Sequence, residues 1–412
     1  MAGIYVHIPF CKSRCRYCDF YSTTFGAEGE AYAQSVCREM ALRKEFLHGE
    51  AVRSLYFGGG TPSQLSPALL GSMVHEAERV YGFTSLDELT IEANPDDLSQ
   101  AWIDGLKKAI PQHKLRISMG IQTFDDERLR LLGRRHTAAE ATDAVHRLQE
   151  SGITEISIDL MYGLPEIAER KKDRNYRNYR GYRGYRDYCE IWKDDLEKAV
   201  GLRVSHISAY HLSYEEGTAL TRMRERGDVL EVDEEVSVEC FRQLRRTLLA
   251  AGYRHYEISN FALPGHEARH NSNYWRGVPY LGLGAGAHSF DGMHRRWNLP
   301  NVKRYMEILS PSRLTSPMPT DGEELVRLLS DGETLSDEER YDEYIMTRLR
   351  TAEGISPEEI GRLFGAVREQ QCRARAQTYL KTHRLRETAD GRWTLTEDGI
   401  FVSDAIIADL FC

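Results

Sequence analysis

Residues 3–18 read Gly3-Ile-Tyr-Val-His-Ile-Pro-Phe-Cys11-Lys-Ser-Arg-Cys15-Arg-Tyr-Cys18. The first six, Gly3 to Ile8, are rich in β-branched and aromatic side chains and predict a strand. Three cysteines follow at once, spaced by three and then two residues. Zinc sites usually draw four ligands from paired clusters, and no second cluster stands nearby. Three thiolates suit a four-iron cluster with one iron left open to a ligand that is not protein. The other cysteines, Cys37, Cys189, Cys240, Cys372 and Cys412, are scattered, so the eight do not read as a disulfide framework.

Outward from this stretch, five more runs read as strands: Ser54–Phe57, Glu88–Ala93, Lys114–Gly120, Glu155–Leu160 and His206–Leu212. Segments with helical spacing lie between them, among them Glu30–Phe46, Leu69–Val80 and Ala138–Glu150. Alternating strands and helices imply right-handed βαβ units and a parallel sheet, an α/β fold. Six units fit an open doubly wound sheet or an incomplete barrel, and periodicity does not decide between them. In either, ligands gather at the carboxyl ends of the strands. The cysteines follow strand one, and Gly58-Gly59-Gly60-Thr61-Pro62 follows strand two. Bare backbone there lets a small polar ligand approach closely. Glu92, Gln122, Arg134 and Asp159 stand at or after the next strand ends. Together these polar groups point into one site.

The chain has 412 residues, with 54 Lys plus Arg against 63 Asp plus Glu, a net charge of −9. Hydrophobic residues at 41% and charged residues at 28% exclude a wholly disordered chain. The acidic balance argues against nucleic acid as a partner. No run approaches the ~20 apolar residues of a membrane helix, and the apolar N-terminus is too short for a signal-peptide core. A cytoplasmic protein is expected.

Three regions are expected, the first carrying a low-complexity arm over 166–188. Residues 1–251 carry the βα units, and 252–310 are rich in Gly, His, Asn, Tyr and Trp. Prolines around Ser310–Pro319 suggest a linker. Residues 311–412 read as helices Glu323–Leu329, Glu338–Thr351, Ser356–Phe364 and Arg368–Thr382 with a short strand Arg392–Leu395, a winged-helix-like pattern. Ser356-Pro357-Glu358-Glu359 is a helix start, with a cap, a proline and a glutamate three on. Within 166–188, Tyr176, Tyr179, Tyr182, Tyr185 and Tyr188 recur every third residue, interleaved with arginines. That step spirals round a helix, so an exposed irregular arm is expected. Its charge suits peripheral contact with an anionic membrane, although a tolerated repeat in a loop is the simpler reading.

The cysteine spacing and glycine loop resemble the radical S-adenosylmethionine (radical SAM) superfamily. The wider resemblance is to the group of oxygen-independent coproporphyrinogen III dehydrogenases and HemW-type haem chaperones. Tyr5–Cys11, Gly58–Ser63, Gly120–Phe124, Asp159–Pro165, Tyr256–Phe261 and His270–Trp275 carry it. It implies a partial (β/α)6 TIM-like barrel with a C-terminal helical, winged-helix-like domain. It implies that Cys11, Cys15 and Cys18 hold a [4Fe-4S] cluster whose open iron takes SAM. Tyr5, Gly59 and Glu92 match positions that contact this SAM. Gly60, Thr61, Gln122, Arg134 and Asp159 match positions that hold a second SAM in the dehydrogenase. An aspartate suits ribose hydroxyls and an arginine a carboxylate. One electron into the cluster would cleave SAM, so an electron donor is a required partner.

Two departures from the dehydrogenase favour the chaperone group. Phe20 stands where the dehydrogenase has a fourth cysteine, and only ten residues precede Cys11. His270-Asn-Ser-Asn-Tyr-Trp275 resembles that group's haem motif, with His270 as the axial ligand. The expected function is haem binding and delivery to respiratory haem proteins, with no catalytic side chain assigned. The alternatives are coproporphyrinogen III dehydrogenation, or a cluster-bearing protein without turnover. A cluster-dependent dimer is compatible with the sequence. His288, in the glycine-rich stretch Gly282–His288, is assigned no role.

Overall fold

Strand β1 (Ala2–Ile8) buries Ala2, Ile4, Val6 and Ile8 completely on one face. Gly3, Tyr5 and His7 alternate onto the other, as the two-residue period of a strand requires. The same logic sets β2 (Val52–Gly59), β3 (Glu88–Ala93), β4 (Leu115–Gln122), β5 (Glu155–Tyr162) and β6 (His206–His211). The computed structural model describes residues 1–24, 28–167, 183–310 and 322–412.

These strands run parallel in the order β1-β2-β3-β4-β5-β6. Helices α1 (Gly29–Leu42), α2 (Pro67–Tyr81), α3 (Gln100–Ala109), α4 (Asp126–Leu132), α5 (Ala138–Glu150), α6 (Arg183–Gly201), α7 (Ala219–Glu225) and α8 (Glu234–Ala250) follow them in turn. This is the expected partial (β/α)6 barrel. Caps fix several entries: Ser66 accepts from Leu69 N at α2, and Thr137 with Glu140 forms a capping box at α5.

The sheet extends past the six units. Strands β7 (Arg254–Glu257) and β8 (Asn260–Ala262) form a hairpin on β6. After α9 (Arg269–Trp275), strand β9 (Tyr280–Leu283) adds to β1 as a seventh parallel strand. Strands β10 (His288–Phe290), β11 (His294–Asn298) and β12 (Ser330–Thr334) continue antiparallel beyond it, completing a twelve-stranded sheet. Its two edges, β7 and β12, do not pair among the described residues, so the barrel stays open.

The sequence expected a separate unit from residue 311. Helix α11 (Gly322–Leu329) follows α10 (Val302–Ile308), yet Leu329 packs in the first core and β12 lies in the first sheet. A second core begins with α12 (Asp337–Leu349), joining α13 (Pro357–Phe364), α14 (Ala366–Lys381), a hairpin of Leu385–Glu387 with Trp393–Leu395, α15 (Glu397–Ile400) and α16 (Ser403–Leu410). Tyr341, Ile345, Ile360, Cys372, Trp393 and Ile406 fill it. The cap at α13 is as read: Ser356 accepts from Glu359 N at 3.2 Å, with Pro357 at the first position.

The Tyr/Arg arm and the proline-rich linker fall mainly outside the described residues. The arm's end differs from expectation. Residues 183–188 open helix α6, and Tyr188, Trp192, Leu196 and Ala199 form its buried stripe. The three-residue repeat hid the four-residue step that starts at Tyr188. Among the described residues no helix is long and apolar enough to cross a membrane.

Candidate functional site

Cys11 ends a two-residue strand, Phe10–Cys11, just beyond β1. Cys15 and Cys18 lie in the following loop, which is pinned from two sides. Arg16 donates its backbone N–H to Leu132 O at 2.9 Å and its guanidinium to Leu131 O at 3.0 Å, both on α4. Leu220 N on α7 donates to Arg16 O at 2.8 Å.

All three sulfurs face donors, the Phe20 backbone N–H at Cys18 and side chains at the other two. Thr61 Oγ1 donates to Cys11 Sγ at 3.4 Å, and Arg134 Nη1 donates to Cys15 Sγ at 3.3 Å. Asn94 stands between these donors. Its Nδ2 donates to Thr61 Oγ1 at 3.4 Å, and its Oδ1 accepts from Arg134 Nη2 at 2.7 Å. Arg134 Nη2 also donates to Gly120 O at 2.5 Å, while its Nε is buried without a partner. Burial pushes the Cys18 thiol up to about 11, so a thiolate there requires a cation to draw the proton off.

This set fits an iron–sulfur cluster: three partly buried thiols in a pinned loop, with N–H and O–H groups aimed at the sulfurs. Among the described residues no three His, Cys, Asp or Glu side chains converge on one ion position. Cysteines of a four-iron cluster each hold a different iron, so convergence is not what such a cluster needs.

The glycine loop closes on the same site. Gly59 has φ +105°, and a Cβ there would stand 2.3 Å from the His7 ring. Only glycine fits. Its N–H donates to Glu92 Oε2 at 3.1 Å, and Tyr56 OH donates to Glu92 Oε1 at 2.7 Å. Gly60 N donates to Ile8 O at 2.8 Å and ties the loop to β1. Burial pushes the Glu92 carboxyl up to about 7, helped by Asp159 and opposed by the Tyr56 and Gly59 donors. Burial also lifts Asp159 to about 6, against the Ser208 hydroxyl and the Arg134 charge. Both carboxyl groups are therefore held well above the usual carboxylate range, and Asp159 also feels the Arg134 charge.

Gln122 is a non-glycine residue at φ +73°, at a bulge where Gly120 pairs with Asp159 and Gln122 with Leu160. Strain of this kind re-aims a side chain at a binding site. Its Nε2 would lie 2.8 Å from a Cβ on Gly120, the glycine whose carbonyl holds Arg134.

His7 and Asn94 complete the site and were not singled out from the sequence. His7 Nε2 donates to Tyr21 O at 3.1 Å, because a carbonyl only accepts. Nδ1 then accepts from Tyr5 OH at 3.1 Å. The only sequence signal for His7 was its place on the same strand face as Tyr5.

His270 differs from expectation. It is 1% exposed, beneath β1 and β2 rather than at an open surface. Nδ1 shares a hydrogen bond with Ser54 Oγ at 2.9 Å, and Nε2 shares one with Tyr274 OH at 2.8 Å. Its backbone N–H donates to Glu88 Oε1 at 3.0 Å. In this arrangement neither ring nitrogen is open to a haem iron. The other half of the motif is placed differently: Tyr274 and Trp275 line an open cavity of about 820 Å³. That cavity begins at Tyr5, Gly59 and Glu92 and extends across the face of β9, β10 and β11 to Tyr344 and Phe364 of the C-terminal unit.

Comparison with known proteins gives this geometry a context. The Radical SAM superfamily matches residues 5–173. Haem chaperone HemW of Lactococcus lactis is 35% identical over 304 residues, 74% of this chain and 73% of that protein. Haem chaperone HemW of Escherichia coli is 30% identical over 404 residues, 96% of this chain and 94% of that protein. The chain belongs to the HemW family. Its fold as a member of that family matches the structure of coproporphyrinogen III oxidase (HemN) from Escherichia coli, a radical SAM enzyme, with a TM-score of 0.77. That match covers 100% of this chain and 90% of the other at 19% identity, and so shows the fold alone. Within this HemW-family chain, Cys11, Cys15, Thr61 and Arg134 form one bonded unit. Tyr5, Gly59 and Glu92 form the adjoining cavity wall. Gly60, Gln122 and Asp159 are held beside them, and His270 lies buried behind the cavity wall, against Tyr56 and Tyr274.

Proposed function

We propose that this chain holds a [4Fe-4S] cluster on Cys11, Cys15 and Cys18, binds SAM beside it, and carries haem to respiratory haem proteins in the cytoplasm. The observation that carries the reading is likeness to the haem chaperone HemW along nearly the whole chain, with 30% identity over 96% of it. The donors aimed at Cys11 and Cys15 support the cluster. When bound, the cluster supplies single electrons to SAM, and an external donor must replace them.

The chain's own part is to bind and orient. Glu92 is fixed by Tyr56 and Gly59, so its carboxylate would accept from the amino group of SAM without reorganising. Arg134 Nε, a buried donor without a partner, suits a SAM carboxylate. Asp159 suits ribose hydroxyls. Haem is cargo in this reading, held in the cavity next to these groups. The test is transfer: haem-loaded protein is mixed with a haem-free respiratory haem protein, and the acceptor's absorption is followed. Recovery of the acceptor's spectrum supports delivery. Retention of all haem by the donor under reduction, with SAM present, contradicts it.

A further inference from the structure

We infer that His288, not His270, supplies the nitrogen that binds haem iron, and that the face of β9, β10 and β11 is the plate on which the macrocycle lies. This rests on the haem-binding reading above and names the residues of that site.

Register makes the face. His288 pairs directly with Trp297, and Phe290 with both Arg295 and Tyr280. Alternation therefore puts Tyr280, His288, Phe290, Arg295 and Trp297 on one side of the sheet, and all five line the cavity. Their alternates point away: Leu281 and Leu283 are 0% exposed, and Ser289 is buried with Arg43. The result is a flat aromatic wall with one imidazole in it. The His288 and Trp297 rings are 6.2 Å apart, tilted by 32°.

His288 is the histidine of this wall with its chemistry unspent. Among the described residues neither ring nitrogen has a hydrogen-bond partner, whereas His7 and His270 have both nitrogens engaged. Burial and the nearby Arg295 lower its pKa, so the neutral ligand form prevails at neutral pH.

The cavity's other features match a flat apolar dianion. Its volume of about 820 Å³ is within the range of cofactor clefts. Phe20, 65% exposed, leaves a phenyl ring on the cavity rim with little protein over it. Arg276 and Arg348 also line the cavity and share Glu353, Arg276 in a half-exposed pair and Arg348 from a more buried position at 3.6 Å. An exposed pair such as Arg276–Glu353 is weak, so a propionate carboxylate can exchange into it.

His270 then acts as a positioning residue. Its bond to the Tyr274 hydroxyl fixes a ring on the cavity wall, and Tyr274 in turn meets Tyr280 at 4.6 Å between centroids. This accounts for a histidine in the motif that does not itself reach the iron.

The test uses the full chain loaded with ferric haem, read by absorption and electron paramagnetic resonance spectra. His288→Ala should weaken haem binding by at least about a hundredfold, more than a supporting residue costs, and shift the Soret band. Added imidazole should restore the wild-type band position. His270→Gln, which keeps a hydrogen-bonding side chain in the sealed site, should keep the wild-type band with a smaller loss of affinity. Unchanged spectra and affinity in His288→Ala, with wild type binding haem, overturn the assignment. Loss of the axial-ligand signature in a folded His270→Gln with His288 intact overturns it too. Wild type that binds no haem at all removes the function proposed above, an outcome distinct from either.

Discussion

Arg134 and Asn94 are joined by a 2.7 Å hydrogen bond, and through it Cys11 and Cys15 are linked by a closed chain of side chains. The order is Cys11, Thr61, Asn94, Arg134, Cys15. Donors to cluster sulfurs make reduction easier, because they stabilise the added negative charge. Asn94→Ala breaks the chain at its middle and leaves every sulfur ligand in place. The cluster should still assemble, with a more negative midpoint potential and slower SAM cleavage. A redox titration followed by electron paramagnetic resonance checks this; an unchanged potential would show the chain to be structural only.

The cysteine assignment makes a sharper prediction. Serine at Cys11, Cys15 or Cys18 should abolish the oxygen-sensitive brown chromophore. Alanine at Cys37, Cys189, Cys240, Cys372 or Cys412 should leave it. Iron content and visible absorbance after anaerobic reconstitution decide the matter. Loss of the chromophore in Cys189→Ala but not in Cys18→Ser would refute the assignment.

Glu92 gives a pH dependence. Its carboxyl titrates near 7, so the charged form, the better acceptor for the SAM amino group, grows as pH rises from about 6 to 8. SAM affinity in the wild type should rise across that window. Glu92→Gln should bind SAM weakly and show no such rise. Equilibrium dialysis of SAM at several pH values measures both. A flat wild-type profile would remove Glu92 from SAM binding.

His270 gives the opposite kind of pH effect, on stability. Burial lowers its pKa to about 3, against 6.5 when unfolded. The unfolded chain therefore takes up a proton that the folded chain refuses. The stability due to this group is whole above about 6.5 and is lost as pH falls towards 3, by up to about 1.4 kcal/mol per unit. Denaturant unfolding of wild type should weaken below pH 6.5, and less so for His270→Gln. His270→Ala should cost about 2–4 kcal/mol, since it opens a void and strands the Ser54 and Tyr274 hydroxyls.

The six βα units were legible because each strand carries a hydrophobic run and ends in a polar or glycine signal, as Glu92 and Gly58-Gly59-Gly60 do. The extension was not. Tyr280–Leu283 has four residues in a glycine-rich stretch, too few for alternation to show. Ser330-Asp-Gly-Glu-Thr334 carries no hydrophobic alternation, and becomes an edge strand where β11 pairs with all five positions. Of the motif positions, Cys11, Thr61, Arg134 and Cys15 are joined by hydrogen bonds through Asn94. Asn94 and His7 were invisible because their roles depend on partners from other strands. The sequence favours His270 through its motif and assigns His288 no role; burial sets them apart, and burial of His270 depends on where β1 and β2 pass over α9.

The central claim is that this radical SAM fold handles haem as cargo and does not make porphyrin. One anaerobic preparation with an intact cluster tests it. Haem is titrated into one portion, and coproporphyrinogen III with SAM and a reductant is given to another. The account predicts saturable haem binding at one site per chain and no loss of carboxyl groups from coproporphyrinogen III. Turnover of coproporphyrinogen III, or failure to bind haem, would contradict it.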